Sequence, residues 1–402
     1  MQILSSKVTK FVNPFFIYGF SWGIVLLIYE FGWSQLCPPL SNSLLSFLFG
    51  TVVVSFLIGN SIQKTIFKNI CLFDYVPRST IRNIGRFLKI LLLLFVVEVV
   101  ACGGIPLLGL ISGNIGIKYT EFGLPILHVL VVNGLSVIII ISYWLFKCTK
   151  VSENKKQLKK YFYISFIPFI LMVNRAVIMN CVLGVFLIKL FTSSKPLKAL
   201  LTTSISVIIV LFLFGYMGNL RTGNGSASVI LQIGKATERF KESIIPKEFF
   251  WSYIYLTTPL ANTQNTINNS EYANPDVENL SDFVLYECIP TILSKRVSEG
   301  KESKYAAKLI TEDLNVSSVY GRCYNYLGWS GILLMFLFIL FFIYFNLLLI
   351  KRPSPYYIPM VVVLDIIIFM NVFTNMFIFM GLVPQLLFLI IIDYLHYRKI
   401  KI

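Results

Sequence analysis

Long apolar runs, broken by short basic connections and by one polar stretch of over a hundred residues, organise the whole chain. Runs of spanning length fall at about 13–31, 43–60, 88–110, 123–146, 161–174, 176–192, 198–217, 329–350, 356–374 and 377–395. At about 20 apolar residues per crossing helix, they predict an all-α polytopic integral membrane protein with about ten transmembrane helices. The fifth and sixth runs share about 32 residues around Asn174 and Arg175 and read as a tight hairpin of short or tilted helices. The organisation expected is a membrane bundle over 1–217, a large loop over 218–328 and a second membrane bundle over 329–402.

Within the loop, Val229, Ile230, Ile233, Ala236 and Phe240 recur at helical spacing, so 226–243 reads as a surface helix. Phe249, Phe250, Trp251, Tyr253, Tyr255 and Leu256 then form an aromatic cluster ahead of Pro259. That composition suits either a segment at the headgroup level or a packed cap on the bundle. Two further stretches, 280–297 and 303–314, carry helical patterns back to the eighth run.

Composition fits only the membrane class. Hydrophobic residues make up 56% of the 402, charged residues 13%, and the mean hydropathy is +0.76. This argues against a soluble enzyme and a disordered chain. The formal net charge of +16 first suggests a polyanion partner, but its distribution says otherwise. With the N-terminus inside, the cytoplasmic connections collect Lys7 and Lys10, then Lys64 to Lys89, Lys147 to Lys160, Lys189 to Lys198, Lys351 and Arg352, and Arg398 to Lys401. The short outer connections hold only Lys118 and Arg175. The charge is therefore a topology signal with both termini cytoplasmic, and no nucleic-acid partner is expected. The 218–328 loop is nearly neutral, and parity alone places it outside. The first run is long, lacks a clear cleavage site and reads as a retained span.

Candidate chemistry gathers near the outer surface. Arg175 stands in the hairpin, Arg221 just after the seventh run and Arg322 just before the eighth, with Tyr324 two residues on. An arginine fork suits phosphate oxygens, so these residues are candidates for binding a lipid-linked diphosphate. The alternatives are snorkelling for the arginines and interfacial anchoring for the tyrosine. Glu98 and Asp365 lie inside apolar runs, where an ionisable group needs a partner or a function. His128, near the outer end of the fourth run, is either a base or a structural histidine, while His396 is at the cytoplasmic end. The seven cysteines show no metal spacing, although Cys288 and Cys323 share the loop and could form a disulfide in an oxidising compartment. No phosphate-binding glycine loop, dinucleotide fingerprint or zinc motif is present, and the first outer loop has no acidic pair to hold a metal.

Four stretches resemble the oligosaccharide repeat unit polymerase family, the Wzy-type O-antigen polymerases. They are Asn13-Pro14-Phe15 through Ser21-Trp22 to Tyr29, the Gly218-Asn219-Leu220-Arg221 turn, Tyr255 to Leu260 with Pro259, and Asn315 to Gly331 ending in Leu327-Gly328-Trp329-Ser330-Gly331. Together they cover about a fifth of the chain, and the span layout with one large late periplasmic loop is similar throughout. The chain departs from some relatives in carrying Asn325 where they have an acid.

The resemblance implies a glycosyltransferase of the bacterial inner membrane, active in lipopolysaccharide or capsule synthesis. The growing glycan would leave one undecaprenyl diphosphate and join a hydroxyl of the next lipid-linked oligosaccharide repeat at the periplasmic face. Arg221, Arg322 and Arg175 would bind the diphosphates, and His128, Glu98 or a loop acid would be the base. No cofactor or metal is implied, and chain-length control would come from a separate co-polymerase. The competing expectations are an O-antigen ligase, a lipid-linked oligosaccharide flippase and a non-catalytic scaffold.

Overall fold

The computed structural model describes residues 2–3, 13–67, 71–72, 76–112, 121–193, 195–222, 226–271, 276–350 and 354–400. Apart from a two-residue antiparallel pairing of β1 (Gln2–Ile3) with β2 (Cys71–Leu72), regular structure among these residues is helical. The first half holds α1 (Pro14–Tyr29), α2 (Asn42–Thr65), α3 (Arg78–Ala101), α4 (Pro106–Ile111), α5 (Pro125–Cys148), α6 (Ser152–Leu171), α7 (Arg175–Phe191) and α8 (Pro196–Arg221). The large polar segment holds α9 (Ser228–Ile233), α10 (Glu238–Lys241), α11 (Phe249–Asn269), α12 (Val277–Phe283) with a π-turn over Val284–Cys288, α13 (Thr291–Val297) and α14 (Gly321–Leu327). The chain closes with α15 (Trp329–Leu349), α16 (Tyr357–Met370) and α17 (Val383–Ile400).

Each of the ten apolar runs contains a helix, although the third is divided between α3 and α4 and the tenth is helical only from Val383. Among the described residues four helices are long and apolar enough to cross a membrane: Asn42–Thr65, Pro125–Cys148, Leu197–Leu220 and Trp329–Leu349. Three shorter apolar helices accompany them at Pro14–Tyr29, Tyr357–Met370 and Val383–Leu395. The chain is thus a helical protein fit for a bilayer. The hairpin around Asn174 is longer than its apolar stretch, because the charged residues from Glu153 to Lys160 continue α6 by more than two turns. Its arms span 20 and 17 residues.

Local sequence explains the helix starts. Asn13 caps α1 by accepting from the Phe15 amide at 3.1 Å, with Pro14 at the first helical position. The same Asn13 donates from Nδ2 to the Gly59 carbonyl at 3.0 Å, which ties α1 to α2. Any side chain at Gly59 would meet Phe16 at 2.8 Å, so the absence of one permits this approach. Asn174 caps α7 through the Val177 amide at 3.3 Å and so fixes where Arg175 begins the helix. α5 and α16 form the interior of the bundle, buried along nearly their whole lengths.

Contacts between connections sort them into two ends. At one end Trp144 Nε1 donates to the Pro355 carbonyl (2.9 Å), Asn154 Nδ2 to the Val76 carbonyl (3.1 Å), and Arg78 pairs with Glu153 (2.6 Å). At the other end the 32–41 connection meets the large segment: Ser34 donates to the Gly234 carbonyl, the Thr237 amide to the Trp33 carbonyl, and the Ser41 amide to Gln264. The Thr291 amide donates to Ile378 O, and that of Val319 to Asn371 O, both at the same end.

Two expectations for the large segment change, and one open alternative is decided. The 226–243 stretch is two short helices rather than one, because Lys235 takes a positive φ of 43° after Gly234 and the chain turns to bridge Ser34 at Ala236. The aromatic cluster is a packed element: α11 buries Phe250, Tyr253, Ile254 and most positions from Thr257 to Thr266. The 303–314 stretch is not helical, and the amides of Lys308 and Ile310 bond to α11 side chains instead. Reporter insertions after Leu36 and after Ser270 should therefore always report the same side of the membrane; opposite sides would refute this arrangement.

Candidate functional site

Four pieces of chain meet around one cavity of about 250 Å³: the start of α7, the end of α8, the large segment and the 371–382 connection. Arg175, Phe214, Gly218 and Thr222 come from the two bundle helices, and Ile230, Trp251, Ile254, Tyr255, Thr258 and Pro259 from α9 and α11. Asp313, Leu314, Asn315 and Val316 form a rim strap, and Phe373 closes the wall from the 371–382 connection.

Packing at the helix crossing explains two of the glycines. A Cβ at Gly215 would lie 2.0 Å from the Glu248 carbonyl oxygen, and one at Gly218 would lie 2.6 Å from the Trp251 indole. α11 can therefore cross close to α8, and Trp251 Nε1 donates to Asn219 Oδ1 at 2.7 Å. This junction explains Gly218 and Asn219 of the 218–221 stretch, which is the last turn of α8 rather than a turn beyond the helix.

Asn262 holds the strap. Fully buried on α11, it donates from Nδ2 to the carbonyls of Leu314 and Val316, both at 2.7 Å, and accepts from the Ile310 amide at 2.8 Å. Thr266 accepts from the Lys308 amide, Asn265 donates to the Lys308 and Leu309 carbonyls, and the Ser318 amide donates to Pro259 O. One face of α11 thus pairs backbone groups of Lys308, Leu309, Ile310, Leu314 and Val316, and Asp313 and Asn315 are carried to the rim with exposed side chains.

Arg175 is half-buried, with its guanidinium 5.9 Å from the centre of the Phe214 ring. Among the described residues no carboxylate pairs with it and no hydrogen bond engages its donors. An arginine in an apolar setting usually has such a partner, so this one presents free donors to the cavity. The Thr258 hydroxyl, also buried at the cavity, has no partner among the described residues either.

The other predicted residues lie elsewhere or fall short of this site. Arg221 ends α8 beside the cavity-lining Thr222; its side chain lies outside the described residues. Arg322, in α14, does not line the cavity; its Nη2 lies 3.0 Å from Oε1 of the buried Glu287. That contact is a charge pair rather than an aligned hydrogen bond, because Glu287 Oε1 and Arg322 Nε both lack a hydrogen-bond partner. Asn375 Nδ2 donates to Glu287 Oε2 (3.0 Å) and to its carbonyl (2.9 Å). Burial pushes the Glu287 carboxyl above the usual carboxylate range, against the opposing pull of Arg322, Asn375 and Tyr326. Tyr324 is buried, its ring edge-on to Trp329.

His128 Nδ1 lies 3.3 Å from Oε1 of the fully buried Glu98, at the start of α5 and away from the cavity. The same oxygen accepts from the Leu124 amide, which places the carboxylate at the positive end of a helix. Asp365 is buried in α16 with neither oxygen partnered among the described residues. Cys288 and Cys323 are free thiols here. Asn325 donates to the Ala306 carbonyl at 2.7 Å and so also anchors the strap. Among the described residues no group of His, Cys, Asp or Glu side chains is placed to hold a metal ion. Glu287, Asn262 and Asp313 are the residues that sequence reasoning did not single out. Only the 315–331 and 255–260 stretches pointed to their neighbourhood.

Compared with known proteins, the chain matches no family model, no curated protein and no solved structure.

Two outcomes follow from the geometry. Arg322→Ala strands a buried carboxylate, a change that costs roughly 3–5 kcal/mol for a fully buried pair and less here, because Arg322 is 31% exposed. The variant should melt well below wild type in detergent, and adding Glu287→Gln should recover part of the loss. Strict additivity of the two changes would show that the groups are not coupled. Asn262→Ala should leave the helices intact but expose 301–316 to protease, with a stability loss of at least about 2 kcal/mol; unchanged cleavage would remove Asn262 as the anchor.

Proposed function

We propose that the chain is a polysaccharide polymerase that joins undecaprenyl-diphosphate-linked oligosaccharide repeats at the periplasmic face of the inner membrane. The ten helices that match the apolar runs would span the bilayer, with both termini and the basic connections in the cytoplasm and the large segment outside. The observation that carries the reading is Arg175: a half-buried guanidinium with free donors, in a cavity where the membrane helices meet the large segment. A diphosphate attached to a lipid arrives at this depth, with its charge at the surface and its chain in the hydrocarbon. The four stretches that resemble repeat unit polymerases support the same reading, and three of them, 218–221, 255–260 and 315–331, contribute cavity residues.

On this reading Arg175 and Arg221 bind and stabilise the departing diphosphate, which needs no metal because the lipid diphosphate is already a good leaving group. Arg322 acts at one remove, through Glu287 and Asn375, by holding the 371–382 connection that carries Phe373 into the wall. Tyr324 supports the turn into α15. His128 and Glu98 form a separate outer-end pair.

The test is the surface glycan of a strain lacking the gene, resolved to single repeats. Core carrying one repeat with the ladder gone supports a polymerase, loss of every repeat points to a ligase or flippase, and an unchanged ladder refutes the proposal. Arg175→Ala should cut polymerisation on the order of a hundredfold or more, with Arg175→Lys intermediate because it keeps the charge but not the fork. Full polymer length with Arg175→Ala would sink the diphosphate role.

A further inference from the structure

We infer that Asp313 is the general base that takes the proton from the acceptor hydroxyl, and that the cavity is the saccharide subsite where acceptor and donor meet. The inference rests on the polymerase reading and adds to it the group that the sequence alone left open.

Asp313 is the one carboxylate among the residues that line the cavity, and Arg175 is the one cation whose side chain is described there. Opposite charges sharing a small cavity would ordinarily close into an ion pair. Here they do not approach within salt-bridge distance, because each is fixed from behind. Arg175 starts a helix capped by Asn174 and lies over Phe214. Asp313 sits on a turn whose Leu314 amide donates to Thr311 O, and Asn262 clamps the next carbonyl. An acid and a cation held apart across a cavity leave room for a group that uses both, with its leaving phosphate at the cation and its hydroxyl at the acid.

The walls between them suit a sugar ring. Tyr255 and Phe373 lie nearly parallel at 5.8 Å, with Trp251 beside Tyr255 at 6.3 Å. Aromatic faces receive the C–H face of a pyranose, while the unpartnered Thr258 hydroxyl and the exposed Asn315 amide offer hydrogen bonds to its hydroxyls. At about 250 Å³ the space is below the range of about 300–1,000 Å³ for sites that enclose whole small molecules. It therefore accommodates the reacting ring, with the rest of the oligosaccharide outside.

The step balances without a co-reactant. The acceptor oxygen forms a bond to the anomeric carbon of the donor as the bond from that carbon to the phosphate oxygen breaks. The electron pair leaves on undecaprenyl diphosphate, and the hydroxyl proton passes to the Asp313 carboxylate and then to water.

The experiment uses the full-length protein in proteoliposomes, with lipid-linked repeats extracted from the deletion strain as both donor and acceptor. Bond formation and lipid retention are measured for wild type, Asp313→Asn, Asp313→Glu and Arg175→Ala. Asp313→Asn should lower turnover about a hundredfold or more, with half-saturation and lipid retention within about twofold, and Asp313→Glu should keep part of the rate. Because the side chain is exposed on the rim, melting should not change. Asp313→Asn turnover within threefold of wild type, with Arg175→Ala inactive, overturns the base role and leaves the polymerase reading standing. Loss of lipid retention in Asp313→Asn in step with turnover overturns it too, by making Asp313 a binding group. Wild-type protein that forms no bond between repeats, with an unaltered glycan ladder in the deletion strain, overturns the polymerase reading beneath it.

Discussion

A stretch of chain without regular structure, laid across the mouth of a helical bundle, must find partners for its amides and carbonyls outside itself. In this protein the carboxamide of Asn262 meets that demand, satisfying three backbone groups of the strap from one buried position. Thr266, Asn265 and Asn325 extend the same solution on either side. The rim of the cavity, the exposed Asp313 and the approach of the strap to Pro259 all depend on these polar side chains.

The helices were legible in the sequence, because apolar length and proline or asparagine at their starts are local signals. Pro14, Ser41, Pro125 and Asn174 mark real boundaries. The strap was not legible. Its residues from Ser303 to Leu314 carry a helical pattern, and what overrides it is a set of bonds to side chains some 40 to 50 residues earlier in the chain. The break at Gly234 and Lys235 has the same origin: pairing with Ser34, about two hundred residues away, settles the conformation there.

The arginines show how much of a site a sequence conveys. All three were candidates for the same reason, a permanent charge near the outer surface. The structure separates two of them by partner: Arg322 faces the buried Glu287, whereas Arg175 has an aromatic ring and no carboxylate. A charge that already neutralises another supports architecture; one held over a ring with free donors remains able to bind an anion. Glu287 itself lies in a run of loop residues with nothing to distinguish it until Arg322 and Asn375 are brought to it.

The wall that α8 contributes to the cavity is a single helix thick. Only 11% of its apolar window is buried within the molecule, and Leu201, Ile205, Ile209 and Leu213 are among its outward residues. One face of α8 is thus apolar and left uncovered by the rest of the molecule, while its far end carries Gly218 and Thr222 at the cavity. On the proposed reading, a lipid-borne head group reaches the guanidinium by sliding past the end of this one helix, its tail remaining among its neighbours in the leaflet throughout, with no channel through the bundle.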